Sequence, residues 1–344
     1  MGGDHGAHVT VPAALHFLGK TPNASVILVG QEAVLTSELE RAAKQPAAQA
    51  LAKFGSRLRV QHASQVVEMD EPPRDALRKK KDSSMRVTAT LVKQGVAHAA
   101  VSAGNTGAWM ATTHYVIKTL PGVDRPALCA PMPNQKDAGT IVLDLGANVE
   151  CTAENLLQFA LMGTALVAAT EHRENATVGL LNVGSEDIKG TPLVKAAALL
   201  LQAAHARGEI NYLGYVEGNE IYTGRADVVV CDGFTGNVML KASEGLGRLV
   251  KTTLSQELRA NPLRMLGALI AKGGLDALAN RISASRYNGA CLLGLKGVVI
   301  KSHGSADANG FEVAIRRAYE MASGGVLERI TARLAAHQVA QAAA

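Results

Sequence analysis

Short apolar runs rich in Val, Ile, Leu and Ala alternate with longer segments of helical spacing along nearly the whole chain. The runs at 25–30, 57–61, 98–102, 127–131, 140–145, 177–183, 212–216, 227–231 and 297–301 have the length and composition of strands. Between them, 105–120, 152–171, 191–207, 234–258 and 309–336 carry apolar residues at helical spacing. Strand–helix alternation of this kind predicts the α/β class: a three-layer, doubly wound, mainly parallel sheet with helices on both faces. The apolar stretch 156–170 is interrupted by Gln158 and is shorter than the roughly 20 residues that cross a bilayer, so it predicts a buried core helix. The whole of 1–344 is expected to form a single catalytic unit with room for two lobes, and the Ala/Gln-rich end, 334–344, is expected to fray.

One segment has a different pattern. Leu263, Leu266, Leu269 and Ile270 recur at helical spacing, and Leu275 and Leu278 follow after Gly273-Gly274. Arg264, Lys272 and Arg281 flank them, so 261–282 predicts an inserted hairpin of two amphipathic helices. Such a hairpin suits a lid, a dimer contact or a foot on an anionic membrane, and the pattern alone leaves all three open.

Composition narrows the picture a little further. Apolar residues make up 47% of the 344 and aromatics 3%, so Ala, Val and Leu must fill the core. A net charge of +5 admits an anionic ligand, an acidic protein or an anionic surface, and with no stacking platform or nucleic-acid motif no nucleic-acid partner is expected. Cys129, Cys151, Cys231 and Cys291 show no paired spacing and read as reduced core thiols of a cytoplasmic protein.

The chemistry is concentrated where the runs end. The strand at 98–102 passes into Ala103-Gly104-Asn105-Thr106-Gly107, that at 140–145 into Gly146-Ala147-Asn148, and that at 177–183 into Gly184-Ser185-Glu186. The strand at 227–231 passes into Asp232-Gly233-Phe234-Thr235-Gly236-Asn237, and that at 297–301 into Ser302-His303-Gly304-Ser305. Ligands of open α/β sheets sit outside the carboxyl ends of strands, and small polar residues there let backbone amides approach an anion. These turns predict an anion site.

Taken in order, Met1-Gly2-Gly3-Asp4, Ser102-Ala103-Gly104-Asn105-Thr106-Gly107-Ala108, Asp144-Leu145-Gly146-Ala147-Asn148, the segment 181–190 ending in Lys189-Gly190, Val216-Glu217-Gly218 and 232–241 resemble the phosphate acyltransferase family of bacterial phospholipid synthesis. The resemblance covers essentially the whole chain. It implies a fold similar to phosphotransacetylases and isopropylmalate dehydrogenases, and transfer of a fatty acyl group from acyl carrier protein to inorganic phosphate. It also implies a homodimer and an acyl phosphate product taken up by a membrane glycerol-phosphate acyltransferase. One departure concerns Asp4: in the family the Met-Gly-Gly-Asp turn ends a strand, whereas here it opens the sequence.

Phosphate is already a nucleophile near neutral pH and a thiol is a tolerable leaving group, so positioning and oxyanion stabilisation dominate. That chemistry needs no cofactor and no metal. Ser102, Gly104, Asn105, Thr106 and Gly107 are the expected phosphate cradle, although Asn105 and Thr106 equally suit helix capping. Lys189 and Lys241 are expected to neutralise phosphate or oxyanion, and Asn148 and Asn237 to orient the thioester carbonyl. Asp144 and Asp232 are expected to hold lysines and amides in place or simply to cap their turns, Asp4 and His303 to support the site, and His303 is also a candidate proton donor to the leaving sulfur.

Two other readings stay open. Ala100-Val101-Ser102-Ala103-Gly104 is a loose nucleophile elbow, and Asp232 and His303 follow in hydrolase order, which suggests a serine acyl-enzyme on Ser102. A non-catalytic anion-binding protein shares the same architecture. Neither G-x-G-x-x-G nor G-x-x-x-x-G-K-[ST] occurs, so nucleotide has no anchor.

Overall fold

The computed structural model describes residues 2–44, 46–136, 139–283 and 285–343; Met1 of the first motif and Ala344 of the tail lie outside them. A small sheet forms first, with β1 (Val26–Gly30) parallel to β2 (Leu58–His62). Around it α1 (Ala7–Lys20), α2 (Glu32–Ala43) and α3 (Ala47–Phe54) enclose Leu18, Leu28, Leu35, Leu39 and Leu58. Two helices, α4 (Pro73–Lys79) and α5 (Ser84–Lys93), then lead into the main sheet.

That sheet contains β3 (Ala99–Ser102), β4 (Ala127–Met132), β5 (Thr140–Leu143), β6 (Thr177–Leu181), β7 (Asn211–Val216), β8 (Val228–Val230), β9 (Ala290–Leu293) and β10 (Val298–Lys301). Their order is β3-β10-β9-β4-β5-β8-β6-β7. The pairing is parallel between β3 and β10 and across β5, β8, β6 and β7, but β9 and β4 are antiparallel to each neighbour. Following these pairings through, β3, β10 and β4 run one way, and β9, β5, β8, β6 and β7 the other. The mainly parallel sheet is therefore two parallel halves of opposite sense, joined through an antiparallel centre.

This corrects the expectation of one shared carboxyl edge. The turn after Ser102 and the turns after Leu143, Leu181 and Val230 leave the sheet at opposite edges. The reversal falls at the antiparallel β4–β5 pair, since β9, antiparallel on both sides, cancels itself. β9 is not predicted by the pattern, because its four residues run through Gly294 into the next apolar run.

The helices covering the main sheet are α6 (Thr106–Ile117), α7 (Ala153–Glu171), α8 (Pro192–Ala206), α9 (Glu220–Thr223), α10 (Gly233–Leu258), α13 (Ala308–Ser323) and α14 (Val326–Ala343). The core helix expected at 156–170 is α7. Thr152 and Asn155 close a reciprocal capping box at its start, and every residue from Asn155 to Ala169 except Gln158 is buried. The single helix expected over 309–336 is broken at Gly324-Gly325 into α13 and α14. The end of the chain is not frayed as expected. In α14, Leu334 packs into the main core and His337 is buried against Glu209.

The predicted hairpin is present as α11 (Pro262–Ile270) and α12 (Lys272–Ile282), though the break falls at Ala271 and Gly273-Gly274 lie inside α12. Leu263, Leu266, Leu269 and Ile270 are all exposed, and beyond Gly236 α10 buries no residue of its own.

Candidate active site

At the β3–β10 end the register sets Lys301 opposite Ser102, and β9 sets Ala290 opposite Lys301. Residues directly opposite in a sheet share a face, so these three side chains point the same way. Ala130, one residue beyond the Cys129–Cys291 pair, continues the row. Ser102, Ala290 and Ala130 are half-buried; Lys301 is buried, with 8% of its surface exposed. Its ammonium donates to the carbonyls of Ala103 (3.3 Å) and Ser302 and makes no ion pair among the described residues. Burial lowers its pKa to about 8; Asp4 acts through space to raise it and Lys241 to lower it.

The N-terminal turn is pressed onto the same end. A Cβ on Gly2 would stand 2.6 Å from Gly104 Cα, so this approach admits glycine only. Asp4 N donates to Gly304 O at 2.9 Å, which fixes Asp4 at the β3–β10 end despite its place at the start of the sequence.

At the opposite edge Asp144 is completely buried and serves as a hub. Its Oδ1 accepts from Leu128 N (2.9 Å), Gly146 N (3.1 Å) and Ala147 N (2.9 Å); its Oδ2 accepts from Asn148 N (2.7 Å) and Asn148 Nδ2 (2.8 Å). Burial pushes its carboxyl above the ordinary carboxylate range, against the donors that favour the charge. Asn148 also donates to Pro126 O at 2.8 Å. Both its amide protons are thus committed, and the expected contact with a thioester carbonyl is not available to them.

Asp232 caps α10 by accepting from Thr235 N (2.9 Å) and Thr235 Oγ1 (2.7 Å). The first turn of α10 touches backbone: a Cβ on Gly236 would lie 1.8 Å from Asp144 O. This approach leaves exposed Asn237 over Gly146, with its Oδ1 3.4 Å from where a Gly146 Cβ would stand. Lys241 follows one helical turn later. It is 59% exposed, pairs with Glu244 at 2.9 Å, and its charge reaches Lys301. Met239 and Leu240 pack on the face of Val142 and Val229, so α10 crosses the sheet from the Asn237 edge toward the lysine row.

Lys189 stands at the end of β6, beside Gly184 and paired with Glu186 at 2.8 Å; that pair raises its pKa. It shares the edge of Asp144, Asp232 and Asn237. β6 lies five positions from β10 in the sheet, about 24 Å at the usual strand spacing, so Lys189 and the Ser102 turn do not meet in one cradle.

The expected cradle is itself largely occupied by its own structure. Asn105 Oδ1 caps α6 through Ala108 N (2.9 Å), while its Nδ2 donates to Met69 O and Glu71 O, both at 2.9 Å. Capping is therefore its role. Gly107 accommodates Pro73, and Gly104 N turns to Ser102 Oγ at 3.2 Å. Thr106 remains exposed at the first position of α6.

The hydrolase arrangement is not assembled. Ser102 Oγ meets Gly104 N, His303 Nδ1 meets Ser305 N (3.2 Å) and Ser305 Oγ (2.9 Å), and Asp232 is held by Thr235. No hydrogen bond joins the three, and Ser102 lacks the positive φ of a strained turn. The residue that sequence reasoning missed is Lys301. A lysine closing a strand reads as solvent-facing, and the signal available was its place immediately before the Ser302–Gly304 turn.

Residues 1–329 match the family described as fatty acid synthesis protein. A phosphate acyltransferase of Janthinobacterium sp. (strain Marseille) is 57% identical over 337 residues, which is 97% of this chain and 91% of that one. A phosphate acyltransferase of Cupriavidus necator is 49% identical over 346 residues, covering 100% of this chain and 92% of its own. Among solved structures, the EutD phosphotransacetylase from Staphylococcus aureus superposes with a TM-score of 0.56 at 17% identity, over 93% of this chain and 90% of that one. A phosphotransacetylase from Streptococcus pyogenes gives 0.50 at 16% identity, over 92% and 98%. At these identities the solved structures speak for the fold, while the sequence matches speak for the family. The chain belongs to the fatty acid synthesis protein family, the family of its phosphate acyltransferase relatives, and is a transferase.

Proposed function

We propose that the chain transfers a fatty acyl group from the thioester of acyl carrier protein to inorganic phosphate, supplying acyl phosphate for phospholipid synthesis. What carries this reading is buried Lys301, whose ammonium meets only backbone carbonyls on the sheet face that α10 and its Lys241 cover. Two cations placed within reach of each other repel unless an anion lies between them. A phosphate oxygen attacks the thioester carbonyl carbon, the C–S bond breaks, and the thiolate leaves and takes a proton from solvent. Asn237 stabilises the developing oxyanion from the first turn of α10, and Lys241, one turn further along that helix, neutralises the phosphate. Asp144, Asn148 and Asp232 hold the loops that position these groups.

Incubation with acyl-carrier protein and inorganic phosphate, followed by hydroxylamine, is expected to give acyl hydroxamate, with no acyl adduct on the protein by intact mass. Free fatty acid without hydroxamate overturns the reading. An adduct that disappears in Ser102→Ala replaces it with a serine acyl-enzyme.

The acyl donor is proposed to dock on the basic stretch of α10 and α11, where Arg248, Lys251 and Arg259 are exposed beside Leu246 and Leu249, and Arg264 is exposed and paired with Glu257. The basic stretch Arg74, Arg78, Lys79, Lys80 and Lys81, along and just after α4, is a weaker platform, because Lys79 pairs with Asp75 and Lys80 with Glu71. Charge steering is screened over about 10 Å at 0.1 M salt, so KM for acyl-carrier protein is expected to rise several-fold with ionic strength while KM for phosphate moves less. A flat response removes these residues from docking. The same reading takes the protein as a cytoplasmic homodimer, with a second copy or an anionic membrane surface meeting the exposed apolar face of α11. No described helix is long and apolar enough to cross a membrane.

A further inference from the structure

We infer that Lys301 is the anion anchor of the site, receiving the attacking phosphate together with the Ser102 hydroxyl, an assignment that rests on the acyl-to-phosphate reading above. It moves the phosphate from the amides around Asn105 and Thr106 to the face of the sheet.

A buried charge is ordinarily met by an opposite charge. Lys301 is buried, yet its ammonium meets only the carbonyls of Ala103 and Ser302, and Asp4 acts on it without ion-pair contact. The row opposite it consists of small, half-buried side chains, Ser102 on one side and Ala290 on the other. Nothing bulky in that row closes the approach to the ammonium. Above it, Lys241 adds a second positive charge at the exposed surface of α10. A purely structural lysine, tying β10 to the turn after β3, has no need of that second cation or of an open row. Bound phosphate supplies the missing counter-charge, and Ser102 Oγ, which accepts from Gly104 N, keeps its O–H to donate to it.

The test compares Lys301→Gln and Lys301→Arg with the wild-type full chain, by steady-state kinetics in inorganic phosphate and by the phosphate-induced rise in Tm. Lys301→Gln is expected to raise KM for phosphate at least about tenfold, to leave KM for acyl-carrier protein unchanged, and to abolish the Tm rise. Lys301→Arg is expected to recover part of both. A folded Lys301→Gln with wild-type KM for phosphate and a wild-type Tm response overturns the assignment while leaving acyl transfer to phosphate standing. If wild type forms no acyl phosphate, the reaction itself is wrong; the Tm response to phosphate then still decides the anchor.

Should Lys301→Gln fail to fold, the wild-type pH dependence decides. Burial brings the Lys301 pKa to about 8, so the cation is lost as pH rises through that value. KM for phosphate is expected to climb above about pH 8, where the phosphate dianion itself no longer changes; a flat KM overturns the assignment. The charged groups around Lys301 are Asp4 on the N-terminal turn and Lys241 on α10. His303 is held on Ser305, Glu312 of α13 on Lys20 and Arg316, and Arg317 on the carbonyls of Tyr287 and Gly289.

Discussion

Asn237→Ala is expected to lower the turnover of acyl phosphate formation by about 10² or more while leaving Tm essentially unchanged. The side chain is exposed on the first turn of α10 and no hydrogen bond among the described residues holds it, so truncation takes little from the fold. Whatever is lost on truncation is therefore lost from the reaction. If Asn237 meets the oxyanion only as charge develops, kcat falls and KM for phosphate holds. Removing Lys241, which sits nearer the phosphate, is expected to act more on KM. The check is initial-rate kinetics of both variants beside calorimetry. A folded Asn237→Ala with near wild-type kcat takes this residue out of the site.

Asp144→Ala is expected to act through folding instead. Four backbone amides and the Asn148 side chain converge on this carboxylate in a place with no solvent exposure. Each buried donor left unsatisfied costs about 1–3 kcal/mol, and partial relaxation of the loop recovers only some of it. A net loss on the order of 4 kcal/mol corresponds to roughly 10 °C in Tm for a chain of this size, or to insoluble expression. Asp144→Asn keeps the shape but turns an amide group toward some of the donors, so it should fall between alanine and wild type. Thermal unfolding of the soluble fraction measures both, and a Tm for Asp144→Ala within about 2 °C of wild type contradicts the hub role.

These two residues mark what the sequence makes legible. Strands could be placed because Val-, Ile- and Ala-rich runs end at Gly, Asn or Asp, and that punctuation is local. Strand direction could not, because it depends on pairing between segments far apart. The antiparallel pairing of β4 with β5 reverses the sense of half the sheet, and nothing local in either run announces it. The same limit governs the site. Asn105, Asn148 and Asn237 look alike as polar residues at strand ends. Asn105 is consumed by a cap and Asn148 by the Asp144 hub, while Asn237 is left exposed on α10. Lys301 shows the converse, since a strand-end lysine gives no local sign that neighbouring strands will bury it.

The position of β10 also bears on how the molecule is made. β10 inserts between β3 and β9, and the pairing Lys301↔Ser102 joins residues separated by most of the chain. Until residues 298–301 leave the ribosome, β3 has no partner in the main sheet, and its apolar edge stands open to neighbouring nascent chains. The small sheet of β1 and β2 can close early, because its partners are close in sequence. Synthesis therefore passes through a stage in which an N-terminal unit is folded while the larger half awaits its last strand. Chaperone dependence and truncation sensitivity should both concentrate on that late insertion.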